Sequence, residues 1–154
     1  MVRRYERGLS LIELMVVMTI IMILALLAAP LGAGWVKSTH LNHAHDVLKE
    51  AYATARALAL RNTANVSGNA VAATLRVNGN KLSVDYPDPD DSTKVLTLWS
   101  GQVDTDTTVA LGDAPGCAVP NTLALTARGL PADLGCVHYT LTIKGGPSDA
   151  GTLQ

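Results

Sequence analysis

The chain has 154 residues, enough for one domain and a long appendage but not for two full cores. Hydrophobic residues make up 48% of it against 4% aromatics, so the apolar excess has to be concentrated in one segment rather than spread through a core. Twelve basic and thirteen acidic residues leave a net charge of −1, which excludes a wholly basic nucleic-acid footprint.

The excess sits at the N-terminus. Residues 9–31 read LSLIELMVVMTIIMILALLAAPL, interrupted only by Ser10, Glu13 and Thr19. At 1.5 Å per helical residue this run is long enough to cross a hydrocarbon core of about 30 Å. Arg3, Arg4 and Arg7 stand ahead of it against the single acid Glu6. Such a basic leader stays cytoplasmic, and the bulk of the chain is delivered outward. An ordinary secretory signal is the competing account, since it also joins a basic start to an apolar stretch. The run is too long for it, and Pro30 directly follows the small pair Ala28-Ala29 where a clean cleavage site is needed.

Glu13 is the anomaly in this segment. A carboxylate among apolar membrane residues costs several kcal/mol unless paired, and its default interpretation is functional. Two accounts stay open on the residues alone. A free α-amino group at Leu9 of a neighbouring subunit would neutralise it, or it snorkels to the headgroups near the helix end.

The stretch Arg7-Gly8-Leu9-Ser10-Leu11-Ile12-Glu13-Leu14 closely resembles the class III leader junction of type IV pilins and type II secretion pseudopilins. In that family a membrane-embedded aspartyl peptidase cuts after the glycine and N-methylates the new terminus. The resemblance implies cleavage between Gly8 and Leu9, methylation of Leu9 and an assembly role for Glu13. The family usually has Phe after the cut, and this chain has Leu9, a tolerated variant. Pro30 falls where pilins commonly carry a helix-kinking proline. The implied partners are other pilin or pseudopilin subunits, the prepilin peptidase, an inner-membrane assembly platform and membrane lipid. The implied location is the bacterial inner membrane, with a cytoplasmic N-terminus and a periplasmic domain, and then a pilus or pseudopilus.

Beyond the apolar run, Leu41, Ala44, Val47, Leu48, Ala51, Tyr52, Ala55, Leu58 and Ala59 recur with the period of one helical face. Asn42, His43, Asp46, Lys49, Glu50, Thr54 and Arg61 take the other face. Pro30 and Gly32 are expected to kink or locally unwind the junction with the first half. A helix over residues 9–62 would be roughly 80 Å long.

From there the pattern turns to strands. Residues 71–77 and 81–86 flank Asn78-Gly79-Asn80, a tight-hairpin signal. The segment PDPDDSTK after Tyr86 reads as a surface loop. Further short strands are predicted at 95–99, 107–111, 123–127 and 137–144, and a loose tail at 145–154. The expected fold class is α+β: one long N-terminal helix packed on a small antiparallel sheet, as in pilins. The boundaries are a leader at 1–8, a transmembrane and assembly helix at 9–31, its amphipathic continuation at 32–62 and a globular domain at 63–154. This layout is similar to the H-type minor pseudopilins of type II secretion and to related minor pilins. Some of those relatives bind DNA through a C-terminal Gly-Arg-x-Arg stretch. Here the corresponding residues are Lys144-Gly145-Gly146-Pro147-Ser148, and the basic residues of the domain (Arg76, Lys81, Lys94, Arg128, Lys144) are scattered, which argues against nucleic acid.

Cys117 and Cys136 are thiols if the chain is cytosolic and a single disulfide if it is exported; the N-terminus favours the disulfide. Other clusters carry less. His40, His43 and His45 near Asp46 lack an evident third fixed ligand for a metal. Asp85, Asp88, Asp90 and Asp91 lack the glycine and terminal glutamate of a calcium loop. No nucleophile elbow, phosphate loop or dinucleotide motif occurs, so neither a catalytic residue nor a cofactor nor a metal site is expected. The functional classes in play are a filament subunit, major or minor, and a binding module displayed on a filament.

Overall fold

A computed structural model of the chain describes residues 10–91, 93–112 and 115–154, and for residues 28–33 the backbone alone. Two compact units divide it, Met1–Val36 and Lys37–Gln154. Helix α1 is assigned over Leu11–Arg61 without a break at Pro30 or Gly32. The side chain of Pro30 lies outside the described residues, as do Gly8 and Leu9.

In the first unit α1 is apolar all round. Ser10 caps it: its carbonyl accepts the Glu13 and Leu14 amides at 3.1 Å, and its hydroxyl faces the Glu13 amide at 3.4 Å. Ser10 thus occupies the Ncap position and Glu13 the N3 position of α1, a start signal that the apolar run obscures. Thr19 Oγ1 donates to the Met15 carbonyl at 2.8 Å, so this hydroxyl is satisfied without water.

In the second unit the helix is amphipathic. The expected stripe is buried, with Ala44, Leu48, Ala51, Ala55 and Ala59 wholly so and Leu41 packed partly against it. Asn62 ends the helix in the left-handed region at φ 47°. Its side-chain amide clamps Val66, accepting from the Val66 amide and donating to the Val66 carbonyl, both at 2.9 Å.

Among the described residues seven strands follow: β1 Val71–Asn78, β2 Lys81–Pro87, β3 Val95–Gln102, β4 Thr107–Leu111, β5 Thr122–Thr126, β6 His138–Ile143 and β7 Ser148–Thr152, with a 3-10 turn at Leu134–Val137 before β6. The α+β class stands, with two antiparallel sheets in place of the single one expected: β3-β2-β1-β5 and β4-β6-β7. After β4 the chain does not add β5 to its own sheet; β5 returns to pair with β1, putting Leu123 opposite Leu75 and Leu125 opposite Ala73. Asn121, at φ 59°, then stitches the sheets together. Its carbonyl accepts the Val77 amide, its amide donates to the Leu111 carbonyl, and its Oδ1 accepts the Leu111 amide.

One core joins the helix stripe to both inner faces: Ala73, Leu75, Val77, Leu82, Val84, Leu123 and Leu125 from one sheet, Val109, Leu111, Tyr139 and Leu141 from the other. The hairpin at Asn78-Gly79-Asn80 forms as expected, with Asn78 paired to Lys81 and Gly79 at φ 64°. The loose tail is corrected. β7 pairs along β6, and Leu153 is buried with its amide on the Val137 carbonyl. Val137 itself belongs to the 3-10 turn rather than to the strand predicted at 137–144.

Candidate functional site

Glu13 is exposed in the first turn of α1, where the helix dipole favours an anion. The sequence holds no charged residue from 14 to 36. Around and after Glu13, fourteen large apolar side chains between Leu11 and Leu27 are all exposed, from Val17 at 47% to Leu11 at 78%. Soluble monomers rarely expose contiguous apolar patches beyond a few hundred Å², so a surface of this kind marks an interaction with lipid or protein.

Among the described residues, no helix is long and apolar enough to cross a membrane. The described apolar side chains run from Leu11 to Leu27, which is about 26 Å of helix rise, short of the ~20 residues a bilayer core needs. Both ends of the expected 9–31 segment fall outside the described side chains.

The cysteines lie in the second unit and are bonded: Cys117 and Cys136 form a disulfide with their Cα atoms 4.7 Å apart. Glycines make the approach possible. A Cβ at Gly135 would collide with the backbone of Gly116 and Cys117, and one at Gly112, which sits at φ 74°, with the Cys117 side chain. Asp133 braces the same corner. Its Oδ2 accepts the Ala118 amide and its Oδ1 the Gly135 amide, both at 2.9 Å, and these bonds hold its carboxyl below the usual carboxylate range. Sequence reasoning missed Asp133, although an Asp two residues before Gly135 at a helix start is a readable cap.

The histidines and aspartates do not converge. His40 faces Asp104 at 3.8 Å, His45 Nε2 meets the Tyr139 hydroxyl at 3.0 Å, and His43 is exposed. Asp85 turns away from the acidic loop to Arg76 at 3.2 Å and the Thr97 hydroxyl at 2.7 Å. Asp91 is taken by Thr93 and Lys94, which lower its pKa. Among the described residues, the one group of three candidate metal ligands is Cys117, Asp133 and Cys136, and its two sulfurs are spent in the disulfide.

A helix with an apolar, unburied first half and an amphipathic second half buried against antiparallel sheets is consistent with the pilin fold. The family described as "Prokaryotic N-terminal methylation motif" matches residues 3–29. That match supports a type IV pilin-like, prepilin-type chain processed by prepilin peptidase. The motif implies a membrane-anchored, pilus-type protein that assembles with other pilin subunits, a structural class rather than an enzymatic one. It stops at residue 29 and says nothing of the sheets. No curated protein and no solved structure gives a match.

Proposed function

We propose that this chain is a structural subunit, a minor one, of a type II secretion pseudopilus or a type IV pilus, related to the H-type minor pseudopilins. Residues 1–8 are its leader, removed between Gly8 and Leu9. Leu9 is then methylated, residues 9–31 anchor the precursor in the inner membrane and later enter the filament, and the domain stands in the periplasm. Glu13 pairs with the Leu9 amine of an adjacent subunit, and Pro30 bends the helix. The partners are further subunits, the peptidase, the assembly platform and membrane lipid.

One observation carries the proposal: the methylation motif coincides with a helix half whose described apolar side chains, from Leu11 to Leu27, are all exposed around a single carboxylate. The oxidised pair Cys117–Cys136 agrees with export. Display of a nucleic-acid-binding surface is disfavoured because two of the scattered cations are used internally, Arg76 on Asp85 and Lys94 on Asp91.

Intact-mass analysis of the protein extracted from membranes tests the processing. The expected chain begins at Leu9 and is one methyl group heavier than its sequence. A chain beginning beyond Pro30 refutes the proposal and shows ordinary signal cleavage.

A further inference from the structure

Among the described residues the two sheets end in the edge strands β3, β5, β4 and β7, and these edges are not alike. Strands β4 and β7 are five residues long, and β7 carries the charge of Asp149. Short or charged edges resist further pairing. Beyond β5 the chain folds back along the edge. Thr126 donates its amide to the Leu130 carbonyl, Ala132 donates to the Ala124 carbonyl, and Leu125 bridges Pro131. β3 is eight residues long, with neither a charge nor a proline in it. It pairs with β2 on one side, and among the described residues no backbone bond is made on its other side. One irregularity, where Val84 pairs with Trp99 and Asp85 with Thr97, leaves Leu98 out of the ladder. It interrupts the edge without adding a charge.

The side chains of β3 are presented as well. Val95, Leu96 and Leu98 are 57%, 38% and 53% exposed, and none belongs to the core. The strand is nevertheless held in shape. Trp99 packs against the core, donates its indole N–H to Glu50 Oε1 at 3.2 Å, and covers Gly101 so closely that a Cβ there would collide with the ring. The Thr97 hydroxyl donates to Asp85 at 2.7 Å. A preformed strand with an unpaired row of N–H and C=O groups and apolar side chains is what an added strand pairs with.

Charge decides which strand. The turn between β2 and β3 carries Asp88, Asp90 and Asp91 against Lys94. It is fixed to the start of β3, because the Asp88 amide donates to the Lys94 carbonyl and the Lys94 amide to the Asp91 carbonyl. Lys94 bridges Asp91 at 3.0 Å, and among the described residues no cation bridges Asp88 or Asp90. The other end of β3 has no such surplus. Asp104 faces His40 at 3.8 Å, Lys81 lies opposite Gln102, and the Asp106 carbonyl accepts the Lys144 amide. A second copy of this chain therefore fits poorly. Its β3, laid antiparallel, brings no surplus cation to the acidic turn, and laid parallel it brings a second acidic turn.

We infer that β3 is a docking edge for an extended segment of another protein, one that is uncharged and rich in β-branched residues where it pairs and basic where it passes Asp88–Asp91. The inference goes beyond the filament reading and stands without it, since every residue it uses lies in the second unit.

Hydrogen exchange on the full chain in detergent tests it, with three peptides as probes. Each alternates valine and threonine. One ends in two lysines, one ends in two glutamates, and one is the lysine peptide with its backbone amides methylated. The lysine peptide should slow exchange within residues 95–102 at least about fivefold and bind at least about tenfold more tightly than the glutamate peptide, and the methylated peptide should give no protection. No added protection from the lysine peptide, or equal protection from the methylated one, overturns strand addition. Equal binding of the glutamate peptide overturns the basic partner. Protection of residues 95–102 that grows with the concentration of the chain alone shows that a second copy is the occupant, and also overturns the inference.

Discussion

Removing the disulfide by Cys117→Ala and Cys136→Ala tests how the second unit is stabilised. The two cysteines are 19 residues apart in sequence. Closing a loop of that length restricts the unfolded chain by about 11 cal/mol/K, or about 3 kcal/mol at 25 °C. The unit Lys37–Gln154 holds 154 − 37 + 1 = 118 residues. At about 2.1 cal/mol/K per residue, its unfolding entropy is about 250 cal/mol/K, and a loss of 3 kcal/mol lowers Tm by about 12 °C. The folded state should survive, because Asp133 still holds the Ala118 and Gly135 amides and Leu153 still closes the adjacent core. Thermal melts of the mature chain in detergent, followed by circular dichroism at pH 7, give the shift. Reduction of the parent should reproduce it. A fall in Tm of less than about 4 °C, or alkylation of both sulfurs in the unreduced parent, refutes the argument.

Three further outcomes are expected. Asp85→Ala should cost about 1.5–3 kcal/mol in urea unfolding, because a carboxylate whose side chain is only 9% exposed loses charge-assisted bonds to Arg76 and Thr97; Asp85→Asn keeps the Thr97 bond and should cost less. Asp133 has its folded pKa lowered, first by the Ala118 amide and then by Gly135, so its contribution is complete above the unfolded pKa and is lost as pH falls through the folded one. Parent and Asp133→Asn should therefore differ in stability at pH 7 and converge below about pH 4, and an unchanged gap at pH 2–3 would contradict this. Glu13→Ala should be cleaved at Gly8 and held in the membrane at parental levels but fail to co-purify with filament partners, whereas Glu13→Asp should retain part of that association; parental assembly of Glu13→Ala would show that Glu13 merely snorkels.

The parts of this fold that were legible in the sequence are those governed by near neighbours. The stripe from Ala44 to Ala59 repeats at helical period and is buried as read. Asn78-Gly79-Asn80 encodes its own turn, and the strand at Thr107–Leu111 was placed to the residue. What the sequence concealed depends on partners distant along the chain. The return of β5 to β1 and the bridging by Asn121 have no local signature, so the strands were visible and their division into two sheets was not. β7 is Ser-Asp-Ala-Gly-Thr, with one β-branched residue, and by propensity it is a tail. It becomes a strand because β6 offers it a ladder and Leu153 a place in the core. At the candidate site, the apolar run and Glu13 are plain in the sequence, but Ser10 looks there like an interruption of the run when it is the cap.

The energetics of the first unit bear on why Glu13 is there. Of the exposed apolar side chains from Leu11 to Leu27, eleven are Leu, Ile or Val. On an insertion scale each favours the membrane by about 0.3–0.6 kcal/mol, together about 3–7 kcal/mol. A carboxylate at the centre of a helix costs about 2.5–3.5 kcal/mol on the same kind of scale, and less towards an end such as the first turn, where Glu13 lies. The apolar side chains therefore carry the segment into a bilayer despite Glu13, and an uncharged residue in its place would carry it more favourably still. Among the described residues, the buried core of the second unit, which begins at Ala44, contains none from this segment, so Glu13 is not part of that core. A side chain that opposes insertion and stands outside that core has its use in a later step. For the subunit proposed above, that step is the packing of subunits, and the proposed pairing with a neighbouring Leu9 amine would turn the cost of one carboxylate into a paired contact.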